Sequence, residues 1–576
     1  MRFIPAATAA LVTLALPSAA IAHGNGHGHQ SKGVKRIVVI YEENHSFDNL
    51  YGGWEGVNGL GDADAAHSKQ VNQAGTPYTC LLQNDANLAT PPLSATCHDA
   101  TTATPFDSHF TNDPFRIDDF LAPTDTTCPP PGDFSKPNGF LKGTGLPGGC
   151  TRDLVHRFYQ EQYQLDGGKQ DRYTTGSDAV GLTQGYYDTT ALPIYKYLHS
   201  PRHPRYAIAD DFFQAAFGGS FLNHQWLISA ATPTFPGAPA DQHSVLDANG
   251  MPTSYPLYTA TTTVKDTAIT AACGGSTRAG LACGDYAVNT IQPTYKPYSS
   301  PTALKLPPQT APTIGDRLSA KGVDWAWYSG GWSNANGDVG APGWTNGSGT
   351  TCTDPNTAAG AVAPNCPDKL FQYHHQPFNY FASFAPGTAE RKAHLRDEAE
   401  FEAAAQASKK HCQLKPVSFI KPIGEENEHP GYASEHGGSS HLVDLLTSIQ
   451  NSGCAKSTMV IVTYDEFGGQ WDHVTPPGQG GSPGPADKWG PSTRIPALVL
   501  SPKLRSDFVV DHTQYDTTSI LATIEHRFGL EPLTSRDAAV NSLFDAFSAK
   551  PAQVRHLNGE SRHRMRHGPG PKHQRD

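Results

Sequence analysis

The chain lacks the features that define several common protein classes. Beyond residue 22, no segment approaches 18 consecutive apolar residues, so the sequence predicts no membrane-spanning helix. It also lacks a basic excess, because the net charge is −11, and this argues against a general nucleic-acid binder. No Cys-x-x-Cys pair indicates structural zinc. Charged residues make up only 17% against 56 glycines and 47 prolines, which predicts many ordered loops around a core.

The first residues have the pattern of an export signal. Arg2 provides a positive start, residues 6–16 form a short apolar stretch, and Ala20-Ile21-Ala22 is a small-x-small cleavage site. We therefore predict a signal peptide over residues 1–22 and an exported protein, either periplasmic or secreted. The Gly/His tract of residues 23–33 and the basic tail of residues 546–576 are predicted to be disordered.

Ten cysteines in an exported protein predict disulfide bonds. Spacing alone does not fix their connectivity, and locally closed loops are the simplest pairing. The five near-neighbour pairs are Cys80/Cys97, Cys128/Cys150, Cys273/Cys283, Cys352/Cys366 and Cys412/Cys454.

Buried strands and helices alternate along the chain. Short apolar, β-branched runs predict six strands. These are Arg36–Tyr41, Tyr206–Phe213, Val323–Tyr328, Val417–Lys421, Thr458–Tyr464 and Ile495–Ser501. Helical patterns cover Ala389–Lys409, His441–Gln450 and Thr517–Phe528. The alternation predicts an α/β fold with a mostly parallel sheet and helices on both faces. Regions near 53–200 and 232–312, rich in Gly, Pro, Thr and Cys, are predicted to be insertions around the site.

Acidic residues follow two of the predicted strands directly. Residues 41–48 read Tyr-Glu-Glu-Asn-His-Ser-Phe-Asp after the run Ile37–Ile40, and Asp465-Glu466 follows the run Met459–Tyr464. In open α/β sheets, ligands bind beyond the carboxyl ends of the strands. Glu43, Asn44, Asp465 and Glu466 offer only oxygen atoms, which suit a hard divalent cation. The alternative is that these side chains are solvated loop acids.

A serine after two glycines is the candidate nucleophile. The strand Tyr206–Phe213 leads to Gly218-Gly219-Ser220, where glycine permits a tight turn and the close approach of an anion. A helix that begins at Ser220 would attract phosphate to its free N–H groups. The alternative is that Ser220 is a simple N-cap. Histidines in polar contexts can supply cations and a general acid, and His109, His374, His375, His429 and His473 are the candidates.

Four motifs together resemble the bacterial phosphoesterase family. They are Glu-Asn-His-Ser-Phe-Asp at 43–48, Gly-Gly-Ser-Phe-Leu-Asn-His at 218–224, Asn-Glu-His-Pro-Gly at 427–431 and Thr-Tyr-Asp-Glu-Phe-Gly-Gly at 463–469. That family joins exported acid phosphatases and phospholipases C within the alkaline phosphatase superfamily. The resemblance spans roughly residues 34–530 and implies an alkaline-phosphatase-like domain, to which we assign residues 34–545.

The resemblance also implies roles for individual residues. Glu43 and Asn44 match one metal-ligand pair, and Asp465 and Glu466 match the second. Ser220 matches the nucleophile, which also contacts the metal. The histidines and the further acid that resemble those around the phosphoryl group are His109, His374, His375, His429 and Asp324. His473 is expected one layer further out.

The sequence thus predicts a metal-assisted phosphomonoesterase that works through a phosphoserine. The expected cofactor is one oxygen-ligated divalent ion (Mg, Ca, Mn or Fe). The expected partner is a small phosphorylated substrate, with no nucleic acid, and the oligomeric state stays open. Gly-Gly-Ser-Phe-Leu-Asn-His resembles the acid phosphatase branch more than the Thr-Asp-Pro-Asn-Arg-like segment of the phospholipases C.

Several rival functions have sequence arguments of their own. A phospholipase C would favour an aromatic cage for choline, for which Trp325, Trp327, Tyr328 and Trp332 are available, although core packing explains them as well. A sulfatase would need Cys or Ser in a Cys-x-Pro-x-Arg context, and Cys128 is followed by three prolines. A serine esterase would prefer Gly-x-Ser-x-Gly. An exported phosphate- or metal-binding protein would keep the acids without needing a nucleophile.

Overall fold

An eight-stranded sheet forms the centre of the protein. The computed structural model describes residues 33–84, 93–121, 151–274, 280–298, 300–347, 371–431 and 433–549. The strands of the main sheet are β1 Arg36–Glu42, β2 Tyr206–Ala209, β3 Trp325–Ser329, β4 Leu395–Asp397, β5 Val417–Lys421, β6 Thr458–Tyr464, β7 Ala497–Leu500 and β8 Phe508–Asp511. Nearly all their residues are buried, as expected for a sheet covered on both faces.

The strands lie in the order β4-β3-β5-β1-β6-β7-β2-β8. Within this sheet β7 pairs antiparallel with both neighbours, and the other pairings are parallel. The central strand β1 lies between β5 and β6, with Ile40 opposite Ile420 on one side and Glu42 opposite Tyr464 on the other. Three strands therefore end side by side at the same edge of the sheet.

Helices cover both faces of this sheet. They are α1 Phe47–Leu50, α2 Ala65–Ser68, α3 Phe158–Leu165, α4 Pro193–Leu198, α5 Ser220–Ser229, α6 Ile314–Ala320, α7 Trp332–Asn336, α8 Ala389–His394, α9 Glu398–Ala407, α10 Glu435–Gln450 and α11 Thr518–Phe528. Helices α5, α6 and α11 pack together, as do α4, α9 and α10. Tyr41 on β1 donates a hydrogen bond to Asn223 O on α5. Since strand side chains alternate, Glu42 points to the other face, where it interacts electrostatically with His441 on α10.

The predicted α/β class and its mostly parallel sheet are confirmed, with two local differences. The run Tyr206–Phe213 leaves the main sheet after Ala209, because Asp210 turns to accept hydrogen bonds from Asn58 N and, through its carbonyl, from Arg494. The run Ala389–Lys409 is not one helix. Its centre forms β4, which pairs with β3, and Asp397 then accepts a hydrogen bond from Ala399 N at the start of α9.

The loop-rich regions carry small strand pairs and disulfides. Pairs form between Cys97–Asp99 and Phe106–Ser108, Phe115–Arg116 and Gly185–Tyr186, Phe212–Phe213 and Tyr515–Asp516, and Gln292–Pro293 and Lys305–Leu306. The predicted bonds Cys80–Cys97, Cys273–Cys283 and Cys412–Cys454 are present. The other two predicted pairs, the signal peptide, most of the Gly/His tract and nearly all of the basic tail lie outside the described residues.

Two further sequence expectations concern apolar segments. Within the described ranges, no helix has the length and apolar character needed to cross a membrane. The four aromatic residues considered for a choline cage lie in the hydrophobic core, where Trp327 stacks on Phe419. Core packing is therefore their structural role.

Candidate active site

The carboxyl ends of β5, β1 and β6 form one cluster of polar side chains. The parallel register that pairs Glu42 with Tyr464 brings the next residues, Glu43 and Asp465, to the same level. Lys421 ends β5 on the other side of β1 and forms an ion pair with Glu43. All three side chains are fully buried. The edge of the sheet where the sequence predicts a site is thus a closely packed charged pocket.

Backbone geometry fixes the acids on either side of this pocket. Asn44 adopts the left-handed region, with φ of 61°, which asparagine enters more readily than most residues other than glycine. Its N–H donates to Asp465 Oδ1 at 3.2 Å, and Glu466 N donates to the same oxygen at 2.8 Å. The loop after β1 is therefore tied directly to the loop after β6.

Ser220 enters the pocket from the tight turn before α5. Gly218 has a φ of 89°, and a Cβ there would lie 2.7 Å from Phe158 N, so the turn requires glycine. Ser220 is the first residue of α5. Its Oγ donates to Glu43 Oε2 at 3.2 Å, and Glu466 Oε1 lies 3.4 Å away. The predicted nucleophile and the predicted acids are thus in direct contact.

Three of the predicted histidines surround the same acids. His375 Nε2 lies 3.1 Å from Glu43 Oε1, and the His374 ring packs against His375 with centroids 4.5 Å apart. His429 Nε2 lies 3.0 Å from Asn44 Nδ2, while His429 Nδ1 lies 2.6 Å from Pro430 O. An Nδ1–H bonded to that carbonyl makes Nε2 the acceptor for the Asn44 amide, which leaves the amide oxygen free to bind a cation.

Three further residues of the pocket received no role from the sequence. His156 Nε2 lies 3.4 Å from Asn44 Nδ2 and 3.6 Å from Glu466 Oε1. His224 lies one turn after Ser220 on α5, and its Nδ1 donates to Ser220 O at 2.8 Å. Lys421 ends an apolar strand, much as Glu43 follows one, and the same rule applied to β5 would have found it. His156 carries no comparable local signal.

The structure does not bring His109 or Asp324 to this pocket. His109 lies in the small insertion sheet, where its Nδ1 pairs with Ser94 O at 2.9 Å and its ring packs on Phe110. Asp324 precedes β3 at the amino edge of the sheet and forms an exposed ion pair with Lys415. His156 lies in the pocket instead, beside Asn44 and Glu466.

The acids of the pocket are buried with too little positive charge beside them. Burial raises the pKa of Glu43 well above its usual range, and the nearby charge of Asp465 raises this pKa further. Burial also raises the pKa of Asp465 and of Glu466, while Lys421 opposes the shift at Asp465. It lowers the pKa of the His374 imidazole to about 3. The described side chains thus hold more acidic groups than positive charge.

These residues fit a divalent cation. Asn44 Oδ1 and Asp465 Oδ2 are buried and lack a hydrogen-bond partner among the described residues. Buried polar atoms are normally paired, so such oxygens indicate a ligand. Glu43, Glu466 and Ser220 add oxygens of the kind that hard cations prefer. A cation would also neutralise the excess of acidic groups.

A buried network of charges also connects the loops that follow β1 and β6. Arg494 Nη2 donates to Asp48 Oδ1 at 3.0 Å, and its Nε donates to Asp472 Oδ1 at 3.1 Å. Asp48 N donates to Asp472 Oδ2 at 3.0 Å, and His473 Nδ1 pairs with Asp48 Oδ2 at 2.5 Å. The network links the loops after β1 and β6 a second time. His473 belongs to it and makes its contacts away from Ser220.

Comparison with known proteins identifies relatives with phosphoester chemistry. Phospholipase C A of Mycobacterium tuberculosis is 23% identical over 579 residues, covering 94% of this chain and 82% of the relative. Non-specific phospholipase C6 of Arabidopsis thaliana is 30% identical over 156 residues, covering 23% of this chain and 29% of the relative. A solved structure from Vibrio parahaemolyticus, of a protein in the alkaline phosphatase superfamily, covers 62% of this chain and 65% of its own at 11% identity. Its TM-score of 0.27 is too low to support an argument. The sequence model of the Phosphoesterase family matches residues 34–531, and the chain therefore belongs to that family.

Proposed function

We propose that the protein is an exported, metal-dependent phosphomonoesterase that uses Ser220 as its nucleophile. The observation that carries the proposal is the position of Ser220 Oγ, 3.2 Å from Glu43 Oε2 and 3.4 Å from Glu466 Oε1. This hydroxyl also lies at the N-terminus of α5, where free N–H groups favour an anion. A phosphoryl group and a cation can therefore both bind beside it.

The first chemical step follows from this placement. A divalent cation held by the pocket would lower the pKa of the attacking hydroxyl and offset charge on the phosphoryl oxygens. Ser220 Oγ passes its proton to Glu43 Oε2 and attacks phosphorus in line with the leaving oxygen, so that a phosphoserine forms as the bond to the alcohol breaks. Glu43 returns the proton to Oγ when water later releases phosphate. The hydrogen bond to Glu43 orients the hydroxyl for this attack. Positioning and electrostatics supply most of the rate enhancement.

The leaving alcohol needs a proton, and we assign its delivery to His156. Its Nδ1 lies 2.6 Å from Leu154 O, so an N–H bonded to that carbonyl leaves Nε2 as the atom that gains and loses a proton. His156 also lines a cavity next to Gly219 and Phe221, where a leaving group can bind. In the second step, water attacks the phosphoserine from the vacated side, and the same Nε2 accepts its proton.

The cavity favours a monoester over a phospholipid. Its volume is about 280 Å³, and polar side chains including Asp153, Arg157 and Asn289 contribute to its described lining. A small polar leaving group of a phosphomonoester fits this volume and lining. The second candidate, phospholipase C, is supported by the names of the relatives above.

A substrate panel distinguishes the two activities. We expect purified protein to release p-nitrophenol from p-nitrophenyl phosphate faster than it releases diacylglycerol from phosphatidylcholine vesicles. Faster diacylglycerol release would favour the phospholipase C. Ser220→Ala should abolish turnover while the metal content stays unchanged, and Ser229→Ala, at the other end of α5, is the matched control. Turnover that survives Ser220→Ala would contradict the proposed mechanism, and metal binding without turnover in the wild type would indicate a binding protein.

Export is part of the proposal and has its own test. The disulfides Cys80–Cys97, Cys273–Cys283 and Cys412–Cys454 are typical of an oxidising compartment. We expect N-terminal sequencing of the native protein to begin near His23 and thiol titration to find at most a trace of free thiol. Ten titratable thiols in the native protein would contradict export to such a compartment.

A further inference from the structure

A second group of carboxylates surrounds a histidine on the opposite face of β1 from Ser220. His441 Nε2, on α10, lies 2.9 Å from Glu398 Oε1 and 3.8 Å from Glu426 Oε2. One possible ligand atom from each of these three side chains lies within 4.8 Å of the other two. Glu398 begins α9, and Glu426 lies in the loop after β5. Three separate elements therefore converge on one point.

Glu42 distinguishes this cluster from an ordinary group of surface acids. Its side chain is fully buried, and both carboxylate oxygens lack a hydrogen-bond partner within the described part of the chain. Strand alternation directs it away from Tyr41 and toward α10, where it interacts electrostatically with His441 and Glu398. A buried carboxylate without a partner is destabilising unless a positive charge compensates it.

The charges around this point are mostly negative. Besides Glu42, Glu398 and Glu426, the acids Glu402, Glu428 and Asp444 act electrostatically on members of the cluster. The opposing charges are His441 and Lys421. Lys421, however, is already engaged, because its Nζ pairs with Glu43 and donates to Tyr41 O at 2.8 Å. His441 is thus the main positive partner of several carboxylates.

We propose that Glu398, Glu426 and His441, with Glu42 behind them, form a second divalent-cation site. One imidazole nitrogen with carboxylate oxygens suits a borderline cation such as Zn²⁺, Mn²⁺ or Ni²⁺, and Zn²⁺ also accepts carboxylate oxygens, so that it can occupy the pocket near Ser220 as well. The cation would replace the proton shared between His441 Nε2 and Glu398 Oε1. The Glu426 side chain is 43% exposed, which gives the cation a route from solvent.

Such a site would stabilise a segment that reaches the catalytic pocket. Glu426 precedes the Asn427–His429 turn, and Asn427 O accepts a hydrogen bond from Glu43 N at 2.9 Å. A cation that joins this loop to α9 and α10 would hold His429 and Glu43 in position from the other face of the sheet. The expected role is therefore structural support for the pocket.

Counting bound zinc tests the proposal separately from the function at Ser220. Metal-free full-length protein is dialysed against Zn²⁺, washed and analysed for zinc per chain. We expect two ions in the wild type, one in His441→Ala, one in Asp465→Asn and none in the combined variant. Glu400→Gln, on α9 but paired with Arg396, should keep two. Circular dichroism confirms folding, and Glu398→Gln replaces His441→Ala if that variant unfolds.

The outcomes are distinguishable. If His441→Ala and Glu398→Gln bind as much zinc as the wild type, the second site does not exist, whatever happens at Ser220. Another outcome is a wild type that binds a single zinc ion, which is lost only in Asp465→Asn. That result would also contradict the second site, but it would leave the site near Ser220 supported. Loss of an ion in both His441→Ala and Glu398→Gln, but not in Glu400→Gln, supports it.

Discussion

Two lysines flank strand β5, and their ion pairs have opposite surroundings. Lys415, just before the strand, pairs with Asp324 at 2.7 Å, and 58% of the Asp324 side chain is exposed. Lys421, the last residue of the strand, pairs with Glu43, and both side chains are fully buried. Both are lysine–carboxylate pairs, but Asp324–Lys415 lies at the amino edge of the sheet and Glu43–Lys421 at its carboxyl edge.

The difference shows that position in the sheet decides whether a lysine–carboxylate pair is solvated or fully buried. At the carboxyl edge, the loops after β1, β5 and β6 meet and exclude water, so that charges there interact strongly. At the amino edge, the Asp324–Lys415 pair is solvated and contributes at most about 1 kcal/mol to stability. Most of the following predictions change a side chain at the carboxyl edge and use a variant at the amino edge or in the peripheral sheet as the control.

The largest effect is expected from removing an acid at the carboxyl edge. Asp465→Asn removes a carboxylate from the cation pocket, so we expect this variant to lose the cation bound there and all measurable phosphatase activity. Asp324→Asn, at the amino edge, should keep both. Elemental analysis and phosphate release measure the two properties, and an active Asp465→Asn protein would contradict the cation site.

Removing the proposed nucleophile should be nearly as damaging. We expect Ser220→Ala to lower kcat by at least about 10³-fold, which corresponds to about 4 kcal/mol of transition-state stabilisation. The carboxylates remain, so the bound cation should stay. Steady-state kinetics at saturating substrate give kcat, and a near-normal value would remove Ser220 from the mechanism.

Two histidines provide the next comparison. His156→Gln removes the group that exchanges a proton at Nε2, and we expect a loss of about 10²-fold in kcat. The loss should be smaller for substrates whose leaving groups need no proton, such as p-nitrophenol, than for alkyl phosphates. His109→Gln, in the peripheral sheet, should leave both rates unchanged. Equal losses in the two variants would contradict the proton-transfer role proposed for His156.

The two lysines themselves are expected to differ in their effect on stability. Lys421→Met leaves Glu43 buried without its partner, and we expect the free energy of unfolding of the metal-free protein to fall by about 3 kcal/mol. Lys415→Met leaves its partner Asp324 in contact with solvent, so the free energy of unfolding should change by less than about 1 kcal/mol. Denaturant titration monitored by circular dichroism compares them, and equal changes would refute the contrast between the edges.

The sequence predicted those parts of the fold and site that depend on local pattern. The strands β1, β5 and β6 are short apolar runs, and their parallel pairing brings Glu43 and Asp465 together once the strands are recognised. Ser220 was predicted in the same way, from glycines that the turn requires. Each of these positions has a physical signal within about ten residues.

The rest depends on tertiary contacts that local pattern does not encode. The helix predicted at Ala389–Lys409 is interrupted because Leu395–Asp397 pairs with β3, which propensity alone does not anticipate. His156 and His109 both lie in loop-rich insertions, and only the three-dimensional path of the chain brings His156 to Asn44. The sequence around Glu42 does not reveal that its spatial neighbours are mostly acids, because those acids lie on elements that are distant in the sequence.

The stereochemistry of hydrolysis at phosphorus tests the central claim most directly. A phosphate monoester made chiral with oxygen isotopes is hydrolysed by the wild-type protein, and the configuration of the product phosphate is determined. Attack by Ser220 followed by attack of water gives two in-line displacements, so the account predicts net retention of configuration. Net inversion would mean that water attacks the substrate directly, and it would contradict a phosphoserine at Ser220.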